Sequence, residues 1–292
     1  MSNRLILISL ALFGAFVALP PAHAAIGVPI PLDVDIVNPV VEGNTFSAKI
    51  NAGIGIAAVN VELSIEFEQA VGLSAENLGL SVDLVSLTDL ALLSRLPVSL
   101  NTSLVSGLPV LLRIQPPASG GLSFSGITTI ELYTHNLQYT AGTPLRLFSA
   151  SDGGTFRDIT ESMSSGSYRV RGSKGTFSDF LIVADLRPTA TVINGKFGEL
   201  SDLLYGYSSQ IEGTTFAQLE SQLTAAQSAW DGGDTTGAIA GIETFASTVE
   251  NAASSDIPDV WRSTRDLDNV AGELRAKAGT LRFSLTLASN SL

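Results

Sequence analysis

The chain has 292 residues, 45% of them apolar and 15% charged, with 28 acidic groups, 16 basic groups and no cysteine. That length exceeds one ordinary core, and so apolar a composition excludes a disordered chain. The net charge of −12 opposes the phosphate neutralisation on which nucleic-acid binding relies, and the missing thiols remove disulfides, cysteine zinc sites and thiol nucleophiles.

At the N-terminus a single charge, Arg4, precedes an apolar run from Leu5 to Leu19, then Pro20-Pro21 and the small-residue site Ala22-His23-Ala24. This is the pattern of a secretory signal, and the run is short for a membrane span, which needs about 20 residues. Cleavage after Ala24 is expected, leaving 268 of the 292 residues. No later stretch is apolar enough to span a bilayer. Export without any cysteine points to a bacterial periplasm or exterior, where a disulfide framework is dispensable.

From Ile26 to about Arg187 the period is two. Val59, Val61, Leu63, Ile65 and Phe67 alternate with Asn60, Glu62, Ser64, Glu66 and Glu68, which predicts a strand with one buried and one wet face. Leu78–Leu84, Val98–Leu104, Val110–Ile114, Thr128–Thr134, Leu145–Phe148, Ser167–Arg171 and Phe180–Ala184 are further candidates, with a short helix near Thr88–Leu96. Glycine- and proline-rich turns separate them. Phe180–Ala184 is apolar on both faces and belongs at the centre of a sheet. The expectation is a mainly β N-terminal domain over 25–188, an antiparallel, Ig-like β-sandwich.

After Pro188 the period lengthens. Ile193, Phe197, Leu200, Leu204, Tyr207 and Ile211 form one helical stripe, Phe216, Leu219, Leu223, Ala226 and Trp230 a second, and Ala238, Ile242, Phe245 and Val249 a third. A fourth, from Ser255 or Asp256 with Pro258 in its first turn, runs through Val260, Thr264, Leu267, Ala271, Leu274, Ala278 and Leu281. Residues 189–292 are therefore expected to form an all-α bundle of about four helices able to fold alone.

The phrase Asp152-Gly153-Gly154-Thr155-Phe156-Arg157-Asp158-Ile159-Thr160, followed by Gly166–Gly172 and Gly175–Val183, resembles a β module of uncharacterised secreted bacterial proteins, over roughly 105–187. From Ile193-Asn194-Gly195-Lys196 through Leu223–Ala226 and Gly233-Asp234 to Phe245, the chain is similar to the FIMAH helical module. That resemblance implies attachment or interaction rather than catalysis.

Few residues can carry chemistry. Once the signal is removed His135 is the sole histidine. Strand alternation sets Glu131, Tyr133 and His135 on one face, where they can orient a polar ligand or supply a base. A solvated strand face is the simpler reading, and no Gly-x-Ser-x-Gly elbow supplies a nucleophile. Arg169 and Arg171 share a face and can grip an anionic glycan or carboxylate, or pair across strands with Asp158, Glu161 or Asp179. Asp152 with Asp158, and Asp179 with Asp185, are candidate carboxylate pairs for glycoside hydrolysis, and the first pair is also a candidate calcium site. Turn stabilisation explains both pairs more simply. Trp230 and Trp261 are expected in cores rather than as sugar platforms, and no cofactor is expected, since Gly53-Ile54-Gly55 lacks the helix of a dinucleotide site. The sequence thus points to a noncatalytic envelope protein with a protein or polysaccharide partner; a carbohydrate- or peptidoglycan-binding module and a carboxylate hydrolase are the alternatives.

Overall fold

The computed structural model describes residues 33–54, 57–97, 101–151, 153–164 and 166–290; the segment expected to be a signal, the first residues of the strand expected over Val98–Leu104, and Asp152 lie outside them. In chain order the elements are β1 (Asp33–Glu42), β2 (Thr45–Ile54), β3 (Ala57–Val71), α1 (Ala75–Leu78), β4 (Leu80–Leu84), α2 (Leu90–Leu93), β5 (Thr102–Leu104), β6 (Val110–Ile114) and β7 (Ser123–Gln138). They continue as β8 (Leu145–Ala150), β9 (Arg157–Asp158), β10 (Thr160–Ser164), β11 (Ser167–Lys174), β12 (Asp179–Asp185), α3 (Thr189–Gly206), α4 (Gly213–Asp231), α5 (Thr235–Ala252), β13 (Val260–Arg262) and α6 (Val270–Ser289).

The strands make two antiparallel sheets. The first runs β1-β2-β3-β7-β11-β10 with β13 also on β7, and the second β4-β6-β12-β8-β9 with β5 on β12. The alternation in β3 is what joins them: Val59, Val61, Leu63, Ile65 and Phe67 are all buried in one core with Val110, Leu112, Ile114, Phe180 and Ile182 of the second sheet. β12 is central in its sheet, between β6 and β8, as its two-sided apolar character requires. Its other face, Leu181 and Val183, is covered by Leu92, Leu96 and Phe156.

β1 is a free edge of the first sheet. Its pairing with β2 slips between Val37 and Val40, where Asn38 has φ 51° and Pro39 follows. Ile36, Val40 and Val41 are exposed there.

Four of the six helices among the described residues follow Pro188. The three anticipated stripes close onto a separate core containing Ile193, Phe197, Leu200, Leu204, Leu219, Leu223, Ile242, Phe245 and Val249. The fourth departs from expectation. Instead of a helix from Ser255, residues Val260–Arg262 form β13, pairing with Ser123–Ser125, and α6 starts only at Val270, capped by Asn269. The reason is Trp261: its ring stacks against Phe124 at 5.4 Å and Phe177 at 4.9 Å, aromatic packing that a helix would forfeit. Leu267, expected in the helical core, is consequently 39% exposed.

α6 belongs to both layers. One side contributes Leu274, Ala278, Leu281 and Leu285 to the helical core, and the other lies on β7, β10 and β11. Gly279 permits that approach, since a Cβ there would meet Glu161 Oε1 at 2.6 Å. The contact layer is polar. Lys196 of α3 is buried and donates to Asp158 Oδ2 at 2.7 Å, Thr280 Oγ1 at 2.6 Å, Ser284 Oγ at 2.9 Å and the Thr280 carbonyl at 3.1 Å. Burial raises the Asp158 carboxyl, but the charge and hydrogen bond of Lys196, with the Thr160 amide, outweigh it and hold the group below its ordinary range. Glu161 has no such cation in contact. Burial lifts it to about 7, against the Ser173 hydroxyl and the more distant Arg282, Lys196 and Arg275.

Lys196→Met should therefore cost roughly 3–5 kcal/mol in urea denaturation by stranding the Asp158 charge, whereas Lys49→Met, in an exposed pair with Glu62, should cost no more than about 1 kcal/mol. The double change Lys196→Met with Asp158→Leu should recover much of the loss. Glu161 makes a pH prediction. Its folded value of about 7 exceeds the ordinary 4.5, so the folded state keeps a proton that the unfolded chain has released, and stability falls as pH rises through that window. Glu161→Gln should reduce the difference in urea midpoint between pH 5 and pH 7.5.

Candidate functional site

The outward face of the first sheet gathers the polar candidates. Antiparallel register sets Arg171 opposite Glu131, Arg169 opposite Tyr133, and Tyr133 in turn opposite Glu62 of β3. Glu131 accepts from Arg169 Nη1 at 2.6 Å and from Arg171 Nε, so one carboxylate holds two guanidiniums. The Arg169 guanidinium also lies over the Tyr133 ring, 4.5 Å from its centroid, a cation–π contact. The expected partners Asp158, Glu161 and Asp179 are replaced by Glu131 because the β7–β11 register places it directly across.

His135 stands beside Tyr133, whose hydroxyl is 3.2 Å from Nε2, and Nδ1 is 2.7 Å from the Ser167 hydroxyl. One ring nitrogen donates and the other accepts, depending on the tautomer. Ser167 is the residue that sequence reasoning missed. It sits at a register slip, pairing with Gln138 while its neighbour Tyr168 pairs with Thr134, so alternation gives no sign of the contact. The Ser–His pair is two-thirds of a hydrolytic triad; its second nitrogen meets a phenol rather than a carboxylate.

Tyr133, Arg169 and Glu131 form one side of a groove of about 270 Å3 that crosses the sheet to Lys49 and Glu62 and ends at Asn38 in the β1 irregularity. Lys49 and Glu62 pair at 3.5 Å. The groove therefore offers an aromatic ring, hydroxyls and charges that are matched within the protein.

The remaining candidates are separated and occupied. Asp158 is tied to Lys196 and the Thr160 amide, so a calcium ion there would have to displace a buried ammonium. Asp179 pairs with Arg95 at 3.0 Å and Arg113 at 3.4 Å, and Asp185 with Arg187 at 2.7 Å. Trp230 is half-buried and donates to Asn194 Oδ1 at 2.7 Å; Trp261 is buried. Among the described residues no group of three or more histidines and carboxylates can hold a metal, and no helix is long and apolar enough to cross a membrane.

Two antiparallel sheets carrying a polar outer groove, with a helical layer closed over part of the same face, define a β-rich protein with a polar surface groove. The chain belongs to a family of unknown function, DUF6689, whose profile matches residues 15–289. No curated protein matches it. Among solved structures it is similar to the CBM51-2 and INT domains of Clostridium perfringens ZmpB, at 11% identity over 75% of this chain and 54% of that one, with a TM-score of 0.17. The chain thus spans about half the length of that structure.

Chelation supplies a direct test of the calcium alternative. Because Asp158 already has its counter-charge, EDTA should leave the thermal melting curve unchanged; a downward shift of several degrees would establish a structural ion.

Proposed function

We propose that this is an exported, noncatalytic protein of the bacterial cell envelope that binds a partner through the outer groove of its first sheet. In this reading the two sheets act as an Ig-like sandwich and α3–α6 as an attachment bundle. The observation that carries it is charge saturation. Glu131 is held by two guanidiniums and Glu62 by Lys49, so these carboxylates serve as a hydrogen-bonding surface rather than as general acid or nucleophile. The chain's net charge of −12 argues against a nucleic-acid partner.

A specific observation favours an envelope polysaccharide or peptidoglycan over a protein as the ligand. Tyr133 presents a ring beside hydroxyl, carboxylate and guanidinium groups in a groove of about 270 Å3, close to the lower end of the roughly 300–1,000 Å3 usual for small-ligand sites. A hydrolase built on paired carboxylates is the weakest alternative, because Asp158, Asp179 and Asp185 are each bound to a cation.

A glycan array probed with the mature protein, with and without calcium, tests the reading. Calcium-independent binding that Tyr133→Ala and Arg169→Ala each weaken at least tenfold is expected. Hydrolysis of any arrayed glycan would replace binding by catalysis, and binding indifferent to both substitutions would remove the groove from consideration.

A further inference from the structure

A second cleft, of about 400 Å3, opens where β13 joins the first sheet. It lies between the turn from β11 to β12, the segment that follows β13, the C-terminal end of α3 and the start of α6. Its wall is aromatic: Phe177 from the turn, Trp261 from β13 and Tyr207 from the C-cap of α3. Phe177 packs edge-on against Trp261 at 4.9 Å and against Phe67 at 5.9 Å, so two of the three rings are locked from behind by the sheet core.

The turn is held in place by Glu273, in the first turn of α6. That carboxylate accepts from the Gly175 amide at 2.9 Å, the Thr176 hydroxyl at 3.1 Å and Lys174 Nζ at 3.2 Å. Gly175 lies so close to the helix that a Cβ on it would come within 2.5 Å of the Glu273 nitrogen. The wall is thereby preorganised, which lowers the ordering cost of binding.

The rim is polar and exposed. It carries Arg265, whose φ of 57° is a costly conformation for a residue with a side chain, and Asp268, which accepts from Gln210 at 3.2 Å. Leu267 stands between them, 39% exposed. Lys174 pairs with Glu273, and the rim adds one cation, Arg265, and one anion, Asp268, so the formal charges around the cleft sum to zero. Its volume falls within the roughly 300–1,000 Å3 of small-ligand sites.

We propose that this cleft is a saccharide site, separate from the groove at Tyr133, that takes a neutral pyranose with its C–H face against the aromatic wall and its hydroxyls on Asp268 and Arg265. A pyranose divides into an apolar face and a hydroxyl edge, and the cleft divides in the same way. Neutrality selects against uronic acids and phosphorylated sugars, whose charge would have no net counterpart.

Trp261 is its own reporter. The sequence has two tryptophans, so Trp230→Phe leaves Trp261 as the single emitter. That protein, otherwise full length, is titrated with cellotriose, chitotriose and maltotriose while tryptophan emission is followed. A saturable change with at least one of them is expected. Asp268→Asn and Tyr207→Ala, added separately, should raise its Kd tenfold or more, Tyr207→Phe should preserve it within threefold, and Tyr133→Ala should leave it unchanged. Unaltered melting curves for Asp268→Asn and Tyr207→Phe show that the fold is intact. The absence of a saturable change with all three sugars to millimolar concentration overturns the proposal. So does binding that Tyr133→Ala abolishes and Tyr207→Ala spares.

Discussion

The contact of α6 with β7, β10 and β11 is the constraint on which the rest of the arrangement depends. A helix that must serve a hydrophobic core on one side and the outer face of a sheet on the other cannot be apolar all round. The sheet-facing side is Thr280, Ser284 and the small Gly279, and the neighbouring charges are provided in pairs: Lys196 with Asp158, and Glu273 with Lys174. Such pairs contribute little net stability, because desolvation offsets attraction. What they supply here is a single seating. Sliding α6 by one turn would part Glu273 from Lys174 and take Thr280 and Ser284 away from Lys196, leaving buried charges short of partners.

The same seating organises both the groove at Tyr133 and the cleft at Trp261. By covering the β10–β11 side of the first sheet, α6 leaves the β1–β3 side and Tyr133 open to solvent. By placing Glu273 against the 174–176 backbone, it fixes Phe177 beside Trp261.

Much of this was legible in the sequence wherever a single period governed a segment. The alternation of β3, the two-sided apolar character of β12 and the stripe of Ala238, Ile242, Phe245 and Val249 each answer to one neighbouring layer, and each is placed as its pattern implies. The reading failed where two layers compete for one segment. Val260, Thr264 and Leu267 keep helical spacing, yet Trp261 lies off that stripe, and its packing on Phe124 and Phe177 outweighs the local pattern. The partners of Asp158 and Arg171 were illegible for a different reason. They depend on the register of strands and helices distant in sequence, such as the 38 residues separating Asp158 from Lys196 and the 40 separating Glu131 from Arg171.

The irregularity at Asn38-Pro39 governs how copies of the chain meet. A ten-residue edge strand with Ile36, Val40 and Val41 exposed would, if straight, offer a continuous row of amide donors and carbonyls to a second molecule. Pro39 removes one donor from the middle of that row, and the left-handed turn at Asn38 shifts the two halves out of a common register. Neither half is then long enough to seed a stable intermolecular ladder. Even at high concentration, the chain keeps its sheet edge open to solvent without becoming the nucleus of a fibre.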